Sequence, residues 1–152
     1  MTQNSGYVRA YLAETIALLE STIKLEAEIL RTVEVWKSAI QAGGKVIFCG
    51  NGGSAADAQH LAAELMGRFL FDRSPMAAVS LTVDTSALTA IGNDYGFANI
   101  FARQLRGIGK VGDVIFGMST SGNSENVVKA FEVAREMGIT TVGMTGIGGG
   151  KM

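Results

Sequence analysis

From Gly44 onward the chain alternates short apolar runs with longer amphipathic ones, and this alternation leaves few folds open. Lys45 to Cys49 reads as a strand and Ser54 to about Phe69 as a helix. Met76 to Leu81 is the second strand, entered just after Pro75, where a missing N–H donor is tolerated. Helical stretches follow from about Thr85 to Ile91 and from about Phe97 to Gly107. Asp113 to Met118 is the third strand, Asn123 to Met137 its helix, and Thr140 to Thr145 the fourth strand. Such a pattern predicts an α/β fold, a parallel sheet flanked by helices on both faces. Right-handed crossovers then gather the strand-to-helix loops along one edge of the sheet, where ligands bind in folds of this kind.

The first 44 residues differ. Thr2 to Gly6 reads as a fraying polar leader, and Tyr7 to Gln41 contains neither proline nor glycine. Leu12, Ile16, Leu19, Ile23, Ala27, Leu30, Val33 and Ala39-Ile40 recur at helical spacing. One or two long helices result, with Ser21-Thr22 either interrupting the first or capping a second, and Gly43-Gly44 closing the run. This is more helix than one face of a small sheet needs, so part of it is expected to pack against another subunit. The 152 residues are read as one domain, residues 1–152, with residues 1–44 its N-terminal helical part. The closing Gly146-Ile147-Gly148-Gly149-Gly150-Lys151-Met152, a glycine run straight after a strand, looks unfinished, and a further strand and helix are expected beyond it.

Thirteen basic and fourteen acidic residues leave a net charge of -1, so no whole-chain field recruits nucleic acid or an anionic membrane surface. No apolar stretch approaches the roughly 20 residues that span a bilayer. Met1 to Gly6 carries no basic patch leading into an apolar run, so a cytoplasmic location is expected. The lone Cys49 has no internal disulfide partner and reads as a small buried hydrophobe, in keeping with a reducing compartment.

Chemistry concentrates in two loops and one helix. Cys49-Gly50-Asn51-Gly52-Gly53-Ser54 is neither a dinucleotide fingerprint nor a Walker A loop, because no glycine opens the helix at the required place and no Gly-Lys-Ser/Thr ends it. Its glycines let amide groups converge, and Ser54 either caps the helix or donates its hydroxyl to an anion; an ordinary capped turn is the plain alternative. Ser119, Thr120, Ser121 and Ser124 crowd four hydroxyls around the start of another helix, where an N-cap needs one. The surplus points to an acceptor-rich ligand, phosphate above all, against a solvated serine-rich turn. His60 and Glu64 share a helix face at i, i+4. They read either as a hydrogen-bonded structural pair or as a metal-binding imidazole beside a carboxylate that moves a proton. Asp57, in the first helical turn, favours the helix dipole. Asn93-Asp94 reads as a polar elbow between two helices, and Thr82, Asp84, Thr85 and Ser86 either meet sugar hydroxyls or cap a helix. Arg68 and Arg73 read as solvated surface, with phosphate neutralisation the alternative.

Several of these segments in order resemble the sugar isomerase (SIS) domain family. They are Gly50-Asn51-Gly52-Gly53-Ser54-Ala55-Ala56-Asp57-Ala58-Gln59-His60, Ala63-Glu64-Leu65, Gly92-Asn93-Asp94-Tyr95-Gly96-Phe97 and Ser119-Thr120-Ser121-Gly122-Asn123-Ser124. The resemblance implies a five-stranded parallel-sheet sandwich, a homotetramer with active sites at subunit interfaces, and zinc. It further implies an aldose-ketose isomerase converting sedoheptulose 7-phosphate to D-glycero-D-manno-heptose 7-phosphate, which feeds nucleotide-activated heptose for lipopolysaccharide and similar glycans. By the same resemblance Ser119, Thr120, Ser121 and Ser124 grip the phosphate, and Asn51, Gly52, Gly53, Ser54, Asn93 and Asp94 line the sugar site. His60 and Glu64 are then zinc ligands, and Glu64 is also the base that moves a proton between C1 and C2. The family carries a glutamine and a histidine on a further C-terminal helix, completing the zinc site; neither position occurs in this sequence. Two alternatives share the fold: an isomerase of another sugar phosphate, and a non-catalytic protein that associates with the replication initiator. The second lacks a carboxylate matching Glu64, so the retained His60–Glu64 pair favours the enzyme.

Overall fold

The computed structural model describes residues 5–152, and the chain divides into two compact units, Met1–Glu34 and Val35–Met152. In the first unit, helix α1 spans Ser5–Thr22 and is followed by a single 3₁₀ turn, Ile23–Leu25. Helix α2, Glu26–Gln41, begins there and continues past the boundary between the units. The long apolar-periodic run is therefore two helices. Ser21 and Thr22 do not cap the second: both hydroxyls donate back to the carbonyl of Leu18, at 2.7 and 2.9 Å. Such back-bonding competes with the helical ladder and marks the break. Of the leader, Thr2–Asn4 lie outside the described residues, whereas Ser5 and Gly6 already belong to α1. Val8, Leu12, Ile16 and Leu19 form a stripe at spacings of four, four and three, and all are exposed.

The second unit is built on a four-stranded parallel sheet ordered β2-β1-β3-β4, with β1 Val46–Gly50, β2 Ala78–Ser80, β3 Val114–Ser119 and β4 Thr140–Thr145. The described residues thus hold four strands where the family resemblance implied five. Strand β2 is shorter than predicted because Met76 N–H donates to the carbonyl of Leu65 instead of entering the sheet. Helices α3 (Gly53–Met66), α4 (Thr85–Tyr95), α5 (Ile100–Ile108) and α6 (Glu125–Glu136) complete the unit. Helix α3 stops before the predicted Phe69, which adopts φ 53, a backbone conformation no helix contains.

Strand periodicity explains the core. On β1 and β3, Val46, Phe48, Phe116 and Met118 face Ala58 and Ala62 of α3 and Trp36 and Ile40 of α2. The alternate residues Ile47, Cys49 and Ile115 face Phe101 and Leu105 of α5 and Val127, Ala130 and Phe131 of α6. Trp36 meets Phe48 and Phe116 edge-on, with ring centroids 5.3 and 5.1 Å apart. Both faces of the sheet are thereby buried, as predicted, and β1 and β3 read as continuous apolar runs for that reason.

Strand order decides where a ligand can sit. From β1 the chain crosses to β2 on one side, and β3 then returns to the other side of β1. Helices α3 and α6, which follow these adjacent strands, lie on opposite faces of the sheet. The loops after β1 and β3 consequently flank a topological switch point, the standard crevice of an open parallel sheet.

Candidate active site

The first loop leaves β1 at Gly50. A β-carbon there would lie 2.7 Å from the β-carbon of Ser54 and 2.8 Å from its carbonyl oxygen, so only glycine allows α3 to begin so close to the strand. Gly52 occupies the N-cap with φ 56, and the helix starts at Gly53. Ser54 is thus the second helical residue and not the cap that its sequence position suggested; Ala55 and Ala56 N–H donate to the carbonyl of Gly52. Asp57 falls in the second turn, exposed, so the first turn of α3 carries no acidic residue.

Asn51 spends its side chain inside the protein. Its amide N–H donates to Asn126 Oδ1 at 2.9 Å, and the Asn126 amide donates back to Asn51 Oδ1 at 2.8 Å. Asn126, in the first turn of α6, is only 3% exposed. The sequence reading missed it, although a signal was available: an amide at position 126 stands in register with Ala130, Val133 and Ala134 on the apolar face of α6.

The second loop gathers hydroxyls. Ser119 Oγ, buried at the end of β3, lies 2.8 Å from Ser124 Oγ and 3.4 Å from Ser121 Oγ. Ser124 is the N-cap of α6 in extended conformation, without a side-chain capping bond. Ser121 Oγ accepts the Asn123 N–H at 3.1 Å. The three serines therefore satisfy one another, and their surplus alone does not demand a ligand; their convergence beside a helix N-terminus is what suits them to an anion's oxygens. Thr120 is exposed beside them. The glycine run that looked unfinished sits on this loop: Gly146 N–H donates to the Thr120 carbonyl, and the Lys151 and Met152 N–H groups donate to that of Gly122. Gly122 has φ +63, and a β-carbon on it would fall 1.9 Å from the Gly149 carbonyl oxygen.

His60 and Glu64 share one face of α3, with Nε2 and Oε1 3.4 Å apart. The imidazole is 73% exposed and the carboxylate 34%. An imidazole nitrogen and a carboxylate oxygen suit zinc and fill two of the four positions of a tetrahedral site. Among the described residues, no group of three or more His, Cys, Asp or Glu side chains is placed to hold a metal. The pair fits half of a zinc site, and the remaining donors would have to come from outside that set. Below it, the Arg73 guanidinium donates to the Glu64 and Leu65 carbonyls at 2.7 and 3.0 Å, so Arg73 closes the C-terminus of α3 and is not free surface.

Asn93 and Asp94 are not an elbow. Both lie in the last turn of α4, exposed, with Asn93 Nδ2 2.8 Å from Asp94 Oδ1, and the chain turns two residues after Asp94, at Gly96. Asp84 is the N-cap of α4, its carboxylate accepting the Ala87 N–H at 2.9 Å. Thr82 ties α3 to the end of β2 through Gln59 Nε2 and the Ala55 carbonyl. Cys49 lies fully buried beneath the first loop, where desolvation pushes its thiol up to about 12.

The predicted residues therefore fall into three groups. Asn51 to Ser54 and Ser119 to Ser124 flank the switch point on separate loops, His60 and Glu64 pair farther along α3, and Asn93-Asp94 pair at the end of α4. Two glycine- and hydroxyl-rich loops flank the crevice of a parallel sheet, and the sequence profile described as the SIS domain matches residues 10–146. Phosphoheptose isomerase of Akkermansia muciniphila is 50% identical over 148 residues, covering 97% of this chain and 78% of that protein. The enzyme of the same name from Rhodospirillum rubrum is 60% identical over 124 residues, 82% of this chain and 66% of its own length. Among solved structures, the phosphoheptose isomerase of Neisseria gonorrhoeae matches with a TM-score of 0.91 at 47% identity, over 96% of this chain and 77% of that one. That of Francisella tularensis matches with a TM-score of 0.78 at 36% identity, over 92% and 78%. The chain belongs to the SIS-domain family, and within it to the phosphoheptose isomerases.

Proposed function

We propose that this protein isomerises sedoheptulose 7-phosphate to D-glycero-D-manno-heptose 7-phosphate through an enediol. The observation that carries the reading is the likeness to the Neisseria gonorrhoeae phosphoheptose isomerase over 96% of the chain, combined with an intact hydroxyl loop and His60–Glu64 pair. Ser119, Thr120, Ser121 and Ser124 bind the phosphate with the N-terminus of α6. The first loop, Asn51 to Ser54, with Asn51 offering only its backbone because its amide is engaged by Asn126, and the Asn93-Asp94 pair hold sugar hydroxyls. Glu64 takes the pro-chiral proton from C1 of the ketose, and the electron pair of that C–H bond forms the C1–C2 double bond while O2 gains a proton. Returning a proton to C2 and releasing the one on O1 leaves an aldehyde at C1 and a new C2–H bond. Carbon 1 is oxidised and carbon 2 reduced by the same two electrons, so no external oxidant or reductant is needed.

His60 and Glu64 would hold zinc, which when bound supplies electrophilic polarisation of the substrate oxygens. The exposed stripe Val8, Leu12, Ile16 and Leu19 supports assembly of the chain into a homotetramer, since a stripe of this kind is normally covered. Active sites would then lie at the subunit interfaces. No helix among the described residues is long and apolar enough to cross a membrane. Together with a free buried thiol and a metabolite substrate, this supports work in the cytoplasm, upstream of nucleotide-activated heptose for lipopolysaccharide or a related glycan.

Incubation with sedoheptulose 7-phosphate in deuterium oxide tests the reaction. Proton NMR is expected to reveal the aldose phosphate together with deuterium at C2. Absence of both product and exchange, from protein that binds the substrate, would sink the isomerase reading.

A further inference from the structure

Beyond Gly50 and Met118, the last residues that β1 and β3 pair with each other, the chain parts to the two faces of the sheet. Among the described residues, no backbone hydrogen bond joins residues 51–54 to residues 119–124. What spans the gap is the reciprocal amide pair of Asn51 and Asn126, two hydrogen bonds of 2.9 and 2.8 Å between side chains 75 positions apart. Asn126 is buried, with its backbone fixed in the first turn of α6 directly after the Ser124 cap. An amide presents a donor and an acceptor on one plane, so two of them locked head to tail admit a single separation and a single orientation. A buried amide also resists leaving that arrangement, because an unpaired partner would be stranded away from water.

We propose that Asn126 is a positioning residue: through Asn51 it sets the distance between the hydroxyl loop and the first glycine loop, so that one sugar phosphate engages both at once. This rests on the assignment of the hydroxyl loop to phosphate and the first loop to sugar. Asn126 touches no substrate in this role. Its contribution appears only for a ligand long enough to reach both loops, and inorganic phosphate, held by the second loop alone, is indifferent to it. Displacing a binding group by about 1 Å is enough to lower rates on the order of 100-fold.

Calorimetric titration of the wild type and of Asn126→Ala with inorganic phosphate and with sedoheptulose 7-phosphate separates the two dependences. Asn126→Ala is expected to bind inorganic phosphate within about 2-fold of wild type while losing about 10-fold or more in affinity for the sugar phosphate, the loss of one or two hydrogen bonds' worth of preorganisation. Asn51→Ala, which removes the same pair from the less buried side, is the second variant should Asn126→Ala fold poorly. The double variant is expected to lose no more than the larger single loss, because one device has been removed twice. Equal weakening of both ligands, no weakening of either, or additive losses in the double variant would overturn the proposal while leaving the site assignment standing. A wild type that binds sedoheptulose 7-phosphate but not inorganic phosphate, or one whose phosphate affinity ignores Ser124→Ala, would instead overturn the assignment of the hydroxyl loop, and the proposal with it.

Discussion

The Asp113 carboxylate, fully buried, receives the Lys45 ammonium at 2.6 Å on Oδ2 and the Lys45 backbone N–H at 3.0 Å on Oδ1. The Lys110 N–H adds a third bond to Oδ2 at 2.9 Å. Lys45 precedes β1 and Asp113 precedes β3, so this knot ties the central strands together at the end of the sheet opposite the two loops. It belongs to stability and not to chemistry. Asp113→Ala strands the lysine and two amides, and is expected to cost about 3 kcal/mol. The urea midpoint should fall with an unchanged slope. Kinetic constants per folded molecule should stay at wild-type values.

Glu64→Gln keeps the shape of the side chain and removes its ability to accept a proton. A general base at this position contributes on the order of 10²- to 10⁴-fold, so kcat should drop within that range while KM moves little. Exchange of the C1 proton with solvent should fall in parallel, which separates a lost base from a lost substrate ligand.

If zinc is held through imidazole and carboxylate together, His60→Ala should reduce the zinc content of purified protein well below that of wild type, measured by elemental analysis. Thermal stability of the sheet unit should be little changed, because the imidazole is largely exposed. A wild type that carries no zinc, yet isomerises, would remove the metal from the scheme.

In the hydroxyl loop, Ser124→Ala removes one hydrogen bond to a charged ligand, worth about 1.5–3 kcal/mol. The expected result is a rise in KM on the order of 10- to 100-fold for the sugar phosphate and an equal loss for inorganic phosphate. This common loss distinguishes Ser124 from Asn126.

The Cys49 thiol, pushed up to about 12 by burial, should not react with a disulfide reagent at pH 8 in the native state and should react fully in denaturant. The linked effect on stability has a definite sign. Above the ordinary thiol range near 9 the unfolded chain gives up its proton and the folded chain keeps it, so stability falls as the pH climbs from about 9 toward 12. Cys49→Ala should flatten that part of the stability profile.

Elements were legible where their signal is local. The strand at 46–50, entirely buried, announces itself as a short wholly apolar run between glycines, and helix α6 by the period of its apolar face. So did the hydroxyl loop, because four hydroxyl residues at a helix start are visible in one line of sequence. Ends were less legible. Ser54 looked like a cap because capping residues precede apolar runs, yet the close approach at Gly50 starts the helix before Ser54 is reached. Asn93-Asp94 looked like a turn by composition, yet packing of Leu88 and Ile91 against the core carries α4 through both of them to Tyr95. Arg73 looked solvated, yet it found the open carbonyls at the end of α3, nine and eight residues back in the chain.

By itself the sequence determined an alternating α/β architecture, a glycine-hydroxyl turn after each of two strands, and an imidazole-carboxylate pair on one helical face. Periods of 2.0 and 3.6 and spacings of three and four residues are properties of neighbours along the chain. Only the tertiary structure decided that β1 and β3 lie side by side, that their helices part to opposite faces, and that Asn126 of one reaches Asn51 of the other. Those facts depend on which distant segments bury one another, and parallel pairing between strands nearly 70 positions apart leaves no local trace in either of them.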